Sequence, residues 1–307
     1  YGDCWLEFLE SLGVYAVVSD ETTGDTVATG AVSADNETCL PVKVFTGHLI
    51  MLKDGVDAVL VPRVVSQERG TCACPKFMGL PDLARALHAD LPAVLSPVMD
   101  LGDKRCRWAR DWYAAARALG ANRVASANAV ARLLSRLRGH RGVGEAQTDE
   151  GAVRVGVAGH LYNVHDSHVS MDMLERIRGL GAVPVTVEEV PMRQARAQAD
   201  TICRKIFWGF ERRLAGTVLH WSRTASVSGI IYVTSFACGP GSIIGAILEH
   251  QLAAESSVPL MTITLDEHTA EAGLMTRLEA FIDMLNRSSR SKRPERSDHG
   301  LVGGVRV

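Results

Sequence analysis

Short apolar runs that alternate with helical patterns constrain the fold of this chain more than any other feature. In the first half the strand-like runs are YAVVS at 15–19, AVLVP at 58–62 and AVLS at 93–96. In the second half they are VRVGVA at 153–158, PVTV at 184–187, IIYVT at 230–234 and LMTIT at 260–264. Apolar strands separated by helices are typical of parallel sheets with helices on both faces.

The helical patterns fall between these runs. They lie near 41–54, 81–88, 106–120, 125–137, 168–179, 241–253 and 271–286. The segment HRGVGEAQTDEGA at 140–152 has no periodicity and reads as a boundary loop. The sequence therefore predicts an α/β protein of two Rossmann-like parallel-sheet domains, residues 1–150 and 151–286, with a cleft between them. The basic, apolar-poor residues 287–307 predict a disordered tail.

Composition removes several classes of function. The 33 lysines and arginines nearly balance 35 aspartates and glutamates, so the net charge of −2 gives no case for nucleic acid or membrane-surface binding. No apolar run approaches the roughly 20 residues of a membrane helix. The first residues, YGDCWLEFLESLG, contain no secretory leader pattern and read as a helix. We expect a cytoplasmic fragment that lacks its first strand.

The seven cysteines are an odd number, which suits a reducing compartment better than a disulfide framework. Cys72 and Cys74 follow the strand-like AVLVPRVV, Cys238 follows IIYVTSFA, and Cys39 directly precedes a predicted helix. In open α/β sheets ligands bind beyond the carboxyl ends of the strands. We therefore expect these thiols at one edge of the sheets. The remaining cysteines lie within helical patterns and are expected to be buried or incidental: Cys4, Cys106 and Cys203.

The local sequence around these thiols favours ligation. CGPGS and CLPVK both lead into predicted helices, whose free N–H groups stabilise a thiolate. Thiolates hold iron–sulfur clusters, but no CxxC pair is present, and Cys72-x-Cys74 matches zinc spacing poorly. Spacing alone leaves unligated thiols as the first interpretation, ahead of an iron–sulfur site and a zinc site.

Five motifs, in the same order along residues 1 to about 286, resemble the acyl-CoA dehydratase activase-related proteins, relatives of the 2-hydroxyacyl-CoA dehydratase subunits. They are ETCLPVKVFTGH, VDAVLVPRVVS, CPKFMGLPD, SFACGPGSIIG and DEHTAEAGLMTRLEAFIDML. The resemblance implies a [4Fe–4S] cluster bound by Cys39, Cys74 and Cys238. Cys72 stands where the family tends to have an aromatic residue, and is either a spare thiol or an alternative ligand.

The resemblance also implies a function and partners. These proteins belong to cytoplasmic, low-potential systems of anaerobes. An actin-like ATPase activator with its own iron–sulfur cluster supplies electrons, and acyl-CoA is the substrate class of the dehydratases. We expect this chain to be one subunit of a larger assembly. Two alternatives stay open: a non-catalytic electron-transfer or regulatory subunit, which a fourth ligand such as Cys72 would favour, and a zinc-stabilised α/β domain.

Four other residues are candidates for the site. Glu267 and His268 follow the strand LMTIT and are candidate acid/base groups, although the same segment, with Thr269 as a cap, also reads as a helix start. Lys43 and Arg63 flank the expected cluster and are candidates for binding it or an anionic substrate, with a solvated or salt-bridged role as the alternative.

Two departures from the family are Gly241, where an aspartate is usual, and Ala270, where a glycine is usual. The loop GHLYNVHDSH lacks a phosphate-binding signature, and its three histidines are expected to face solvent. The aromatic residues of KIFWGFERR are expected to pack in the core or between the domains: Phe207, Trp208 and Phe210.

Overall fold

The structure is a computed structural model, and it describes residues 1–87, 91–139, 152–202 and 205–291. Three predictions concern residues outside these ranges. They are the boundary loop at 140–152, apart from its last residue, the surroundings of Cys203, and all but the first five residues of the predicted tail.

The first half contains short parallel strands flanked by helices. Its strands are β1 (Ala58–Leu60), β2 (Arg63–Ser66), β3 (Ala93–Leu95) and β4 (Val98–Asp100). Its helices are α1 (Gly2–Glu10), α2 (Gly24–Ser33), α3 (Leu40–Leu52), α4 (Pro75–Met78), α5 (Leu80–Leu87), α6 (Ala109–Ala118) and α7 (Arg123–Gly139). The predicted strands at 58–62 and 93–96 are confirmed, and β1 pairs with β3 as β2 pairs with β4.

Two prolines interrupt these strands at the same level. Pro62 separates β1 from β2, and Pro97 separates β3 from β4. Proline has no N–H to donate, so each strand loses regular pairing where it occurs. The backbone N–H of Arg63 nevertheless donates to the carbonyl of Pro97 at 3.0 Å, which continues the ladder beyond the break. The two short strand pairs are therefore parts of one interrupted two-stranded ribbon.

The predicted strand YAVVS at 15–19 is wrong. In the described part of the chain this segment pairs with no strand, and Tyr15 is 91% exposed. An apolar run becomes a strand only when a neighbour accepts its backbone hydrogen bonds. The sequence reading also missed α2, which Thr23 and Thr26 begin with reciprocal side-chain-to-backbone hydrogen bonds.

The second half is built on a four-stranded parallel sheet in the order β6-β5-β7-β8. Its strands are β5 (Val153–Gly159), β6 (Ala182–Thr186), β7 (Gly229–Ser235) and β8 (Leu260–Leu265). Its helices are α8 (Leu161–Val164), α9 (Ser167–Ser170), α10 (Met173–Gly179), α11 (Met192–Ala199), α12 (Gly209–Thr224), α13 (Gly239–Glu255) and α14 (Glu271–Ser291), with a 3₁₀ turn at Val187–Glu189.

Both faces of this sheet are covered by helices, as predicted. On β7, Ile231 and Val233 face the core shared with α10 and α14. Ile230 and Tyr232, which point the other way, face the core shared with α12 and α13. A strand buried on both faces must be apolar throughout. This explains why the second-half runs are continuous and do not alternate.

Helix α3 joins the cores of the two halves. Leu40 at its start is buried in the core around β5 and β7, together with Val27 of α2. Leu49, near its other end, is buried beside Val59 of β1. Glycine permits the close crossing of α2 and α3, because a Cβ on Gly30 would lie 1.8 Å from the Lys43 carbonyl oxygen. The helix that follows Cys39 is thus anchored in both halves.

Candidate thiol site

Each of the three cysteines implied as ligands occupies the residue before a helix. Cys39 precedes α3, Cys74 precedes α4 and Cys238 precedes α13. A proline occupies one of the first two positions of all three helices. Proline suits that position because its missing N–H would be unpaired there anyway. The local sequence Cys-Pro or Cys-x-Pro therefore fixes each sulfur at the start of a helix, as expected.

The charges of the site cysteines interact: Cys39 and Cys74 act on Cys238, and Cys39 acts on Cys74. Burial raises the pKa of Cys238 to about 11, against an opposing hydrogen bond from the Gly241 backbone, and the charges of Glu211, Cys39 and Cys74 raise it further. Burial also raises the pKa of Cys74, whose sulfur accepts the Phe77 N–H at 3.4 Å, with Glu211 and Cys39 adding to the rise. The cysteines of three loops that are distant in sequence are therefore close enough for their charges to interact.

The three thiols are the type of ligand that holds iron–sulfur centres. Cys39, Cys74 and Cys238 are free thiols and are neither fully buried nor fully exposed. Within the described residues, no group of three or more His, Cys, Asp or Glu side chains is arranged to hold a metal ion. A four-iron cluster is larger than one ion, so its thiolate ligands need not approach each other as closely as those around zinc. The raised pKa values mean that a metal must displace thiol protons when it binds.

Cys72, the alternative ligand, lies between the two halves. Its backbone forms a bridge to Trp208, with its N–H donating to the Phe207 carbonyl at 2.8 Å. Its sulfur contacts the same carbonyl at 3.7 Å. Cys4 lies in α1 and is buried, as predicted. Cys106 does not lie within a helix: it precedes α6 in a turn, at a positive φ of 49°.

A buried group of polar and aromatic side chains lies beside the thiols. His160 and Glu211 are 4% and 3% exposed, and His160 Nε2 lies 3.2 Å from Glu211 Oε1. The His160 ring stacks on Tyr162 with centroids 5.0 Å apart. Phe210 contacts the rings of both His160 and Phe77. Because the charges of Glu211 and Tyr162 interact with the thiols, this group forms one wall of the site.

Sequence reasoning missed most of this wall. The histidines of GHLYNVHDSH were expected to face solvent, which is right for His165 and His168 and wrong for His160. Packing of Phe210 is confirmed, whereas Phe207 is 61% exposed and does not pack in a core. A stronger signal was available: His160 and Tyr162 directly follow β5, the strand next to β7, which Cys238 follows.

Lys43 and Glu267 form an ion pair with each other. Lys43 is 2% exposed, donates to Glu267 and also donates to the Asn36 carbonyl at 3.1 Å. Burial acts to raise the pKa of Glu267, but the hydrogen bond and charge of Lys43 outweigh it and lower the pKa below its ordinary range. Lys43 lies in the first turn of the helix that follows Cys39. The pair joins that turn to the loop after β8.

Arg63 and His268 have different surroundings. Arg63 donates to Asp82 at 2.6 Å and to the carbonyl of Met78, the last residue of α4, at 2.9 Å. It therefore holds the short helix that begins after Cys74. His268 is exposed, and its backbone N–H donates to Asp266, whose carboxylate also accepts from Thr269. That turn leads into α14, in agreement with the helix-start interpretation.

The two departures from the family also have structural descriptions. A Cβ at Gly241 would lie 2.6 Å from Thr234 Oγ1 and 3.0 Å from the Cys238 sulfur. The Thr234 hydroxyl therefore takes the space that a side chain at 241 would need. Ala270 is not among the residues with positive φ in the described chain, so the alanine causes no strain of that kind there.

Parallel strands with helices on both faces of the larger sheet define an α/β protein, and three of its cysteines stand at helix starts. A family model described as a CoA enzyme activase uncharacterised domain matches residues 1–190, and the chain belongs to that family. The match includes Cys39 and Cys74, and Cys238 lies beyond it. No curated protein matches the chain. In the described ranges, no helix is long and apolar enough to cross a membrane.

Proposed function

We propose that this chain is the iron–sulfur component of an ATP-activated, low-potential reductase or dehydratase system of the 2-hydroxyacyl-CoA dehydratase type. A [4Fe–4S] cluster is bound by Cys39, Cys74 and Cys238. The single observation that carries the proposal is that three cysteines at helix starts in separate loops interact electrostatically, Cys39 and Cys74 with Cys238, and Cys39 with Cys74. The family description, which refers to a CoA enzyme activase, supports the type of system.

A bound cluster supplies one-electron chemistry, and the chain's own residues determine where it is held. Arg63 holds the helix after Cys74, and the Lys43–Glu267 pair holds the turn after Cys39. Three thiolates on a four-iron cluster leave one iron for another ligand, which is what a substrate-binding cluster requires. In this proposal the electron donor is an actin-like ATPase with its own cluster, in the cytoplasm of an anaerobe, and the substrate is an acyl-CoA.

Anaerobic reconstitution with iron and sulfide tests the ligand set. We expect about four irons per chain and a brown chromophore that dithionite reduces. Single Cys39→Ser, Cys74→Ser and Cys238→Ser variants lose iron or change the electron paramagnetic resonance (EPR) spectrum of the reduced cluster. Cys106→Ser, outside the site, is the matched control and keeps full iron content. Stoichiometric zinc without iron, or full iron content with an unchanged EPR spectrum in all three ligand variants, overturns the proposal.

The ion pair between Glu267 and Lys43 favours one alternative function, that of an electron-transfer subunit. Its carboxylate is paired with Lys43 and its pKa is lowered, which suits a structural anion better than a proton donor. The two functions differ in whether one iron accepts an outside ligand. If a small thiol added to the reduced protein alters the EPR spectrum, the iron is open and the enzyme is favoured. An unaltered spectrum favours the electron-transfer subunit, with Cys72 as the fourth ligand to test by substitution.

A further inference from the structure

The ring of Tyr162 is fixed between two other rings beside the thiol site. It stacks on His160 with 5.0 Å between centroids and 8° between planes, and on Phe77 with 6.5 Å and 24°. His160 is itself held by the buried carboxylate of Glu211 at 3.2 Å. Phe77 lies three residues after Cys74 and donates its N–H to that sulfur. The position of the phenol relative to Cys74 is therefore set by packing on both faces of its ring.

The phenol of Tyr162 is close enough to all three thiols for their charges to act on its pKa. Burial raises the pKa of Tyr162 well above its ordinary range, and the charges of Cys238, Cys74, Glu211 and Cys39 raise it further. In the described chain its hydroxyl has no hydrogen-bond partner, whereas the nearby Tyr232 hydroxyl donates to the Gly241 carbonyl at 2.9 Å. Because Tyr162 is only partly buried, its hydroxyl is free to donate to an acceptor that enters the site.

We propose that Tyr162 is a positioning residue. Its hydroxyl donates a hydrogen bond to a sulfur atom of the centre held by Cys39, Cys74 and Cys238. This inference rests on the proposed function. Hydrogen bonds to cluster and thiolate sulfur stabilise added negative charge, and so raise the reduction potential. In this role Tyr162 makes the cluster easier to reduce without supplying a ligand.

A Tyr162→Phe variant tests the inference, because it keeps the stacked ring and removes only the hydroxyl. After reconstitution we expect full iron content, a more negative reduction potential, and loss of one exchangeable-proton coupling in electron–nuclear double resonance spectra recorded in H₂O and D₂O. Tyr232→Phe is the buried control, since its hydroxyl is bonded to a protein carbonyl, and Tyr15→Phe is the exposed control. Both keep the potential and the coupling of the unsubstituted protein.

The outcomes separate this inference from the proposed function. If the unsubstituted protein takes up no iron, the proposed function fails and this inference fails with it. If the cluster forms in both proteins and Tyr162→Phe keeps the same potential and the same proton coupling, the inference alone is overturned. A shifted potential with the coupling lost, at equal iron content, supports it.

Discussion

Lys43 and Glu267 are separated by 224 positions in the sequence and form an ion pair in which the lysine is 2% exposed. Lys43 lies in the first turn of α3, and Glu267 lies in the loop after β8. The pair therefore ties the helix that follows Cys39 to the carboxyl edge of the second sheet. Because Lys43 is buried and Glu267 is 17% exposed, the lysine in particular depends on the carboxylate for charge compensation.

Replacing Lys43 with Met should destabilise the protein strongly. The change leaves the Glu267 carboxylate, which is 17% exposed, without its partner, and a group left unsatisfied in this way costs about 1–3 kcal/mol. The control, Glu7→Gln, breaks an exposed pair with Arg136 and should cost less than about 1 kcal/mol. Urea unfolding of both variants measures the difference, and Lys43→Met/Glu267→Leu should recover part of the loss. Equal costs for Lys43→Met and Glu7→Gln would contradict the assignment.

Adding a methyl group at Gly241 should also be unfavourable. Within a helix Gly→Ala ordinarily stabilises by about 1 kcal/mol, but here the new Cβ would lie 2.6 Å from Thr234 Oγ1. We expect a net loss of about 1–2 kcal/mol from overpacking, and partial rescue by Thr234→Ala. Gly239→Ala is the matched control, since nothing lies within 4 Å of its Cβ. Thermal unfolding that ranks the two glycine variants equally would refute this account.

The metal-free protein should lose stability in mildly alkaline solution. The pKa of Cys238 is raised from 9.0 to about 11 by burial, so the folded state holds this proton more tightly than the unfolded chain. The resulting contribution to the free energy of unfolding is complete below pH 9 and is lost as pH rises through about 11. In both Cys238→Ser and Cys74→Ser, the decline in stability above pH 9 should be shallower than in the unsubstituted protein. Urea unfolding at several pH values in this range measures the free energy of unfolding. If its dependence on pH is the same in both variants as in the unsubstituted protein, the thiol pKa values are not raised.

Removing the charge of Glu211 should make the site thiols more reactive. The Glu211 carboxylate contributes to the raised pKa of both Cys74 and Cys238. Glu211→Gln keeps a hydrogen-bonding group beside His160, and should lower both pKa values and speed alkylation by iodoacetamide at pH 8. Glu188→Gln removes a carboxylate that pairs with His165 instead, and is the control. Equal alkylation rates in the two variants would show that Glu211 does not act on the thiols.

Local sequence was sufficient for features that depend on neighbouring residues. Cys39, Cys74 and Cys238 each precede a proline by one or two positions, and proline marks the start of a helix. The strand β7 is buried on both faces, and its continuous apolar sequence predicts this burial. The helix starts after these three cysteines and most strands were predictable, because each is decided by residues that are close in sequence.

Features that depend on distant partners were not predictable. The run at 15–19 is apolar but pairs with no strand in the described chain, and composition cannot reveal a missing neighbour. The burial of His160 depends on Phe210 and Glu211, about fifty positions away. Lys43 and Glu267 were both singled out by their positions, yet their pairing depends on how the halves pack. A single sequence does not show which distant residues contact each other.

Helix α3 has its two ends in different cores and Cys39 at its start. Its 13 residues form a rod about 20 Å long, which does not compress or bend easily. A shift of one half relative to the other therefore has to tilt or displace α3, because each end of the helix is packed in a different core. A protein that docks on one half and tilts α3 would therefore change the distance between the Cys39 and Cys74 sulfurs. Docking at a remote surface could in this way alter the spacing of the thiols.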